Sequence, residues 1–225
     1  VPGLPQHLTS GPIGQKPLPR EVVEEHQRRR IALAACEVFA TRGYRATTID
    51  HIVAAAQVGV GSFYSLFEGK QECFLYLYEA IVADAREQLA KAAPQDVSWA
   101  EAVGAVLQKL LLTIAAEPLR ARIVFVEAQT AGPAAEERYA ETMAEPARLL
   151  RQGRTRRERG AELPAGLEAA TVAGVAWLIQ QRLVSERSEE VPALLPEVAE
   201  IVLEPYLGEG EAAGAIGRLL ATASA

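Results

Sequence analysis

Hydroxyls, glycines and a few cations gather around one stretch of the chain, residues 47–67, which reads TTIDHIVAAAQVGVGSFYSLF. Thr48 stands where a second helix should begin, so its hydroxyl and the free N–H groups of that helix can face the same phosphate. Gly61 lets backbone approach where a side chain would obstruct. Ser62 and Tyr64 offer hydroxyl donors, expected on the same side of a third helix, and Arg45 adds a further phosphate contact. Val60 and Ser65 present a methyl surface and a short donor/acceptor, the groups that read base edges. Phe63 and Phe67 are assigned to the core beneath them. A short apolar-spaced helix, a glycine-punctuated break and a second short helix make a helix-turn-helix, which sets one helix in the major groove of DNA.

The surrounding elements must hold this unit. Across 22–41, Ile31, Ala34, Ala35, Val38 and Phe39 fall on one face of a 3.6-residue repeat. Gly43 supplies a left-handed stop, and Tyr44 packs back. Thr47 or Thr48 caps the next helix, which buries Ile49, Ile52 and Val53; Gly59 and Gly61 bracket the turn and the start of the third. A long helix over 70–91 carries the stripe Phe74, Leu77, Tyr78, Ile81, Ala85 and Leu89, and Pro94 ends it. Ser98 and Glu101 form a capping-box signature for a helix reaching Ala116. Pro118 opens a helix to Thr130, and Pro133 opens another that bends at Pro146 and ends near Gly160. Residues 164–187 include TVAGVAWLI, apolar almost all round, so that helix needs cover on more than one side. Helices over 191–207 and 211–222 follow, and nothing alternates like a strand.

The reading is all-α. Residues 1–20, rich in proline and glycine, form a flexible arm, and 21–70 form a three-helix helix-turn-helix domain. A long fourth helix joins it to a helical regulatory and dimerisation domain over 71–225.

With 49% hydrophobic residues in 225, the chain can bury a substantial core, which excludes wholesale disorder. The net charge of −6 is unevenly divided. Residues 1–74 hold eight basic against seven acidic residues, and the rest hold fifteen against twenty-two, so the acid lies outside the reading head. No apolar run approaches the ~18–20 residues that span a bilayer, 172–179 being the longest candidate. No signal pattern argues for export, so no membrane partner is expected and the cytoplasm is the natural compartment. Cys36 and Cys73 sit in helical apolar patterns and read as buried thiols. His7, His26 and His51 lack metal-ligand spacing, and no P-loop, GxSxG or HExxH occurs; no metal, cofactor or catalytic group is expected. Arg154, Arg156, Arg157 and Arg159 read as a solvated face, and Asp50 is exposed near the DNA side.

The stretch RRRIALAACEVFATRGYRATTIDHIVAAAQVGVGSFYSLFEGKQECF, residues 28–74, resembles the DNA-binding domain of TetR/AcrR-family transcriptional regulators. The resemblance runs through Phe39, Gly43, Tyr44, Thr48, Val58 and the Gly61-Ser62-Phe63-Tyr64 run to Phe67 and Lys70. It departs at Gly59 and Val60, where many members have a serine cap and a polar residue. It implies that Lys70 clamps a phosphate and that the chain is a homodimeric, usually repressive regulator of double-stranded DNA. It further implies a small-molecule effector in the larger domain. Trp99, Phe125, Met143 and Trp177 are the candidate lining of such an apolar site, with Glu127 and Gln129 as polar handles; core packing is the competing role for each. A ligand-independent or activating regulator fits the same reading head, and an enzyme on this fold is the remote alternative.

Overall fold

The computed structural model describes residues 19–92, 96–156 and 163–223, and every regular element among them is helical. Residues 1–18 of the arm expected over 1–20, the stop at Pro94, and Arg157 and Arg159 lie outside the described residues, as does the side chain of Arg156; Arg20, expected in the arm, instead begins the first helix. The helices are α1 (Arg20–Arg42), α2 (Ile49–Ala56), α3 (Val60–Tyr64), α4 (Lys70–Ala92), α5 (Trp99–Ala116), α6 (Pro118–Phe125), α7 (Pro133–Leu150), α8 (Leu167–Val184), α9 (Leu195–Leu207) and α10 (Glu209–Ala223).

Local chemistry sets most of these bounds. Gly43 ends α1 with φ 81°, a sign that favours glycine, although its ψ of 151° is extended rather than the left-handed helical value expected. Ser98 Oγ accepts the Glu101 N–H while the Glu101 carboxylate accepts the Ser98 N–H, closing the predicted capping box at α5. Pro118 stands at the first position of α6. The helix expected to reach Thr130 instead breaks at Val126 and continues as a 3₁₀ turn, Glu127–Thr130. Likewise α7 gives way at Leu150 to a 3₁₀ turn, Arg151–Arg156, and another, Ser188–Leu194, precedes α9.

The core begins with α1, α2 and the first part of α4 closing on Phe39, Phe63, Phe67 and Phe74, all at most 1% exposed. Tyr44 does pack back: its ring stacks on Phe39 and meets Phe74 edge-on. Burial pushes the Cys36 thiol up to about 11 and the Cys73 thiol up to about 12, so neither is a ready thiolate near neutral pH. Helix α5 amends the expectation about apolar runs, since by length and composition alone it could cross a membrane. Here it packs among α4, α9, α10 and the 3₁₀ turn before α9.

Arg154 does not belong to a solvated face. Its guanidinium holds the buried Glu168 carboxylate with both arms, at 2.6 and 3.0 Å, and donates to the Leu163 and Pro164 carbonyls. The Tyr206 hydroxyl donates to the same carboxylate at 3.2 Å. Trp99 lies edge-on to Tyr206 and fills the space above Gly153, where a Cβ would come within 2.6 Å of its ring. This knot joins α5, α8, α9 and the turn after α7.

Hydrogen bonding from Arg154 holds the Glu168 carboxyl below the usual carboxylate range. Its stabilisation is therefore complete above the unfolded carboxylate pKa and disappears as pH falls through the lower folded value. Glu168→Gln should destabilise the fold at neutral pH, because it removes the buried charge that Arg154 pairs with. In urea melts the gap between variant and parent should shrink on acidification; a gap independent of pH would show that the carboxylate's charge is not its source.

Candidate nucleic-acid interface and internal cavity

Helix α2 starts at Thr48, whose Oγ accepts the His51 N–H at 3.4 Å while His51 Nδ1 accepts the Thr48 N–H at 3.2 Å. This is a capping box with histidine in the place usually held by Glu or Gln. The Thr48 hydroxyl proton remains available to an outside acceptor. Thr47, the other capping candidate, is buried and donates to the Gly43 carbonyl at 2.8 Å. Gln57 then turns the chain with φ 54°.

Helix α3 is only five residues long, too short to persist on hydrogen bonds alone. Phe63 and Phe67 anchor it in the core, as expected. That anchoring leaves Val60 45% and Tyr64 55% exposed, with Gly61, Ser62 and Ser65 also at the surface. A Cβ at Gly61 would meet no protein atom within 4 Å, so internal packing does not demand a glycine there. Two expectations need correction. Ser62 and Tyr64, two positions apart, point about 200° from one another around a helix and so do not share a side. Ser65 Oγ donates to the Ser62 carbonyl at 2.9 Å, which occupies its proton in closing α3.

Lys70 has partners within the protein. Its ammonium donates to the carbonyls of Tyr44 at 2.8 Å and Thr47 at 2.7 Å and lies 4.3 Å above the Tyr44 ring. Partial burial pulls its pKa below the usual value. It therefore shapes the loop that presents Arg45 and Thr48. Arg45, Thr48 and Asp50 are exposed, with Asp50 in the first turn of α2.

The same loop is held from the opposite side by Glu127, a candidate effector handle from the sequence, with the help of Arg122, which the sequence did not single out. Glu127, 5% exposed, accepts the Tyr44 N–H at 2.7 Å. Arg122 lies 3.9 Å from that carboxylate and donates to the Ala40 carbonyl at the end of α1 and the Leu183 carbonyl at the end of α8. Arg122 and Glu127 straddle the break after α6, so no helical periodicity relates them and their partners lie far away in sequence.

The opposite face of α6 borders a cavity of about 430 Å³ between α4, α5, α7 and α8. Its wall is largely aliphatic and aromatic, with Ile81, Leu110, Val124, Phe125, Met143 and Ile179 among the lining residues. Ion pairs sit in the same wall: Arg120 with Asp84 and Glu117, and Arg86 held in two bonds by Glu145. Thr113 Oγ1 and Arg120 Nε, also from lining residues, are buried without a hydrogen-bond partner.

Phe125 and Met143 line this cavity, and the other four effector candidates do not. Trp99 belongs to the Arg154–Glu168 knot, and Glu127 faces the loop at Tyr44. Gln129 and Trp177 line a separate groove of about 630 Å³ between α7 and α8. Among the described residues, no group of three or more His, Cys, Asp or Glu could hold a metal ion.

A capped short helix, a tight turn and a second, core-anchored short helix with its polar side outward define a helix-turn-helix protein, here mounted on a helical body that bears an apolar cavity. Residues 31–77 match the family model of bacterial regulatory proteins, tetR family. An uncharacterised HTH-type transcriptional regulator of Bacillus subtilis, YhgD, is 28% identical over 85 residues, which cover 38% of this chain and 44% of that relative. The match therefore spans less than half of the curated relative's length.

The fatty acid degradation regulator FadR of Bacillus halodurans superposes with a TM-score of 0.68 at 19% identity, covering 84% of this chain and 97% of its own. FadR of Bacillus subtilis, solved in complex with stearoyl-CoA, gives 0.64 at 18% identity, covering 80% and 98%. A gamma-butyrolactone receptor gives 0.60 at 20%, covering 88% and 98%. At these identities the likeness is one of fold.

Thr48→Ala should lower stability by about 1 kcal/mol without DNA present, the usual worth of a helix cap. Arg45→Ala, at an exposed site, should leave stability unchanged. Urea midpoints of the two variants check both, and equal losses would contradict the capping geometry.

Proposed function

We propose that this chain is a sequence-specific DNA-binding repressor that acts as a homodimer in the cytoplasm and leaves a pseudo-palindromic operator when a small, largely apolar molecule enters the cavity. The observation that carries the reading is the double duty of α6. One side of it lines the cavity through Ala121, Val124 and Phe125, while Arg122 and the Glu127 that follows hold the end of α1 and the loop before α2. A molecule that fits the cavity only when α6 is displaced would favour a second placement of the reading head. Release then follows from differential affinity for the two states. The acyl ligand of the Bacillus subtilis neighbour supports an apolar effector here.

In the bound state, the N-terminus of α2 and the Thr48 hydroxyl grip a phosphate, with Arg45 and Tyr64 contacting the backbone nearby. Gly61 allows close approach, Ser62 donates at the helix start, and Val60 meets a thymine methyl. Ser65 and Lys70 act as positioning residues through Ser62 and the Tyr44–Thr47 loop. Two heads require two copies, and the uncovered apolar side of α8 and α9 offers the contact surface: Val184 is 53% exposed and Ile201 38%.

Selection from a random DNA pool at fixed salt should return a two-fold-related motif. Tyr64→Phe should weaken binding to all sequences alike, whereas Val60→Ala should relax preference at one position per half-site. Adding an acyl ligand should release the DNA from the parent protein. Leu110→Trp, which fills the cavity, should still bind DNA but no longer respond. Sequence-indifferent binding would rule out the specific-reader part, and an unaltered response in Leu110→Trp would rule out the cavity as the effector site.

A further inference from the structure

We propose that the groove between α7 and α8 seats an anionic head group, so that the effector is an amphiphile with its apolar chain in the cavity and its charge in the groove. This rests on the cavity being the effector site.

The two spaces lie back to back. Met143 and Val172 belong to the walls of both, so one layer of side chains separates them. Methionine is unbranched and has three rotatable bonds, which makes it a partition that can swing aside for a chain.

Charge divides the two spaces in opposite ways. The cavity wall carries Asp84, Glu117 and Glu145 against Arg86 and Arg120, and both arginines are already held by those acids. An anion has no free cation to meet there. The charged residues lining the groove are Arg148 and Arg151, with no acid among them. Both arginines are exposed, and neither has a carboxylate partner among the described residues. Neighbouring arginines behave otherwise: Arg86, Arg138 and Arg154 each hold a glutamate.

Arg148 and Arg151 are three positions apart across the end of α7, a spacing that puts side chains on adjacent turns of one face. Two guanidinium forks there can converge on one carboxylate or phosphate. Gln129, Tyr139 and Gln180 add neutral polar groups around the same space. The anion could be the carboxylate of a free fatty acid or the phosphates of an acyl thioester's carrier, and the two sources are separable by titration.

The test uses the full chain and three probes with the same hydrocarbon chain: palmitate, palmitoyl-CoA and uncharged hexadecanol. Affinities are measured at low salt by calorimetry for the parent, the double variant Arg148→Glu/Arg151→Glu and Leu110→Trp. Both arginines are at the surface, so the double variant should melt like the parent. Its affinity for at least one anionic probe should fall about ten- to a hundredfold, as expected for lost charge-assisted hydrogen bonds. Hexadecanol affinity should change less than about twofold, and Leu110→Trp should weaken all three probes.

Whichever anion is tighter in the parent and loses more in the double variant identifies the source, carboxylate or phosphate. Unchanged anion binding in the double variant, with Leu110→Trp still disruptive, overturns the head-group site and leaves the cavity reading standing. Equal losses for hexadecanol overturn it too. If the double variant instead dissociates to monomers in sedimentation and keeps its ligand affinity, the groove is covered by a second copy and the proposal falls. Failure of all three probes to bind the parent overturns the acyl-effector reading and this inference with it.

Discussion

The contact between Glu127 and the Tyr44 backbone is the joint on which this architecture turns. A carboxylate 5% exposed must be given partners, and here two come from separate parts of the chain. Tyr44 gives its N–H, Arg122 gives nearby charge, and Arg122 in turn ties the carbonyls that end α1 and α8. Lys70 meets the Tyr44 carbonyl from the other side of the same residue. One loop residue is therefore gripped at both its backbone groups by charged side chains from separate parts of the chain. A loop so held has little freedom of its own, and it follows the body to which those charges belong.

That constraint explains how so slight a reading helix can be useful. Five residues cannot hold a helical conformation by themselves. The position of α3 is borrowed from Phe63 and Phe67 below it and from the fixed start of α2 beside it. The exposed groups can then be small or neutral, because the framework supplies precision and the helix N-terminus supplies field. This accords with a head whose basic residues barely outnumber its acidic ones.

Local signals in the sequence foretold much of the fold, and the long-range polar pairs escaped them. Gly43, Pro118 and the Ser98–Glu101 box act within a few residues of themselves, so their consequences are visible without a tertiary structure. Phe63 and Phe67 were legible as core because helical spacing sets them apart from their polar neighbours. Arg154 looked like one of several surface arginines until α8 brought Glu168 against it. The family resemblance implies a phosphate clamp at Lys70, and the two carbonyls that its ammonium also meets are partners no periodicity could reveal. Trp99 and Trp177 look alike in a chain poor in aromatics; one fills the space over a glycine and the other stands at the surface. The difference between them is tertiary.

The length of α4 has a consequence of its own. It starts at the loop clasp with Lys70, runs past the cavity at Ile81 and Leu89, and continues to Ala92 without a proline or glycine in its interior. Twenty-three residues at 1.5 Å each make a rod about 35 Å long. Tilting such a rod about its far end by only about 5° carries the near end roughly 3 Å, close to the 3.4 Å axial step of one base pair. A small difference of angle in α4 thus amounts at the reading head to about one base-pair step.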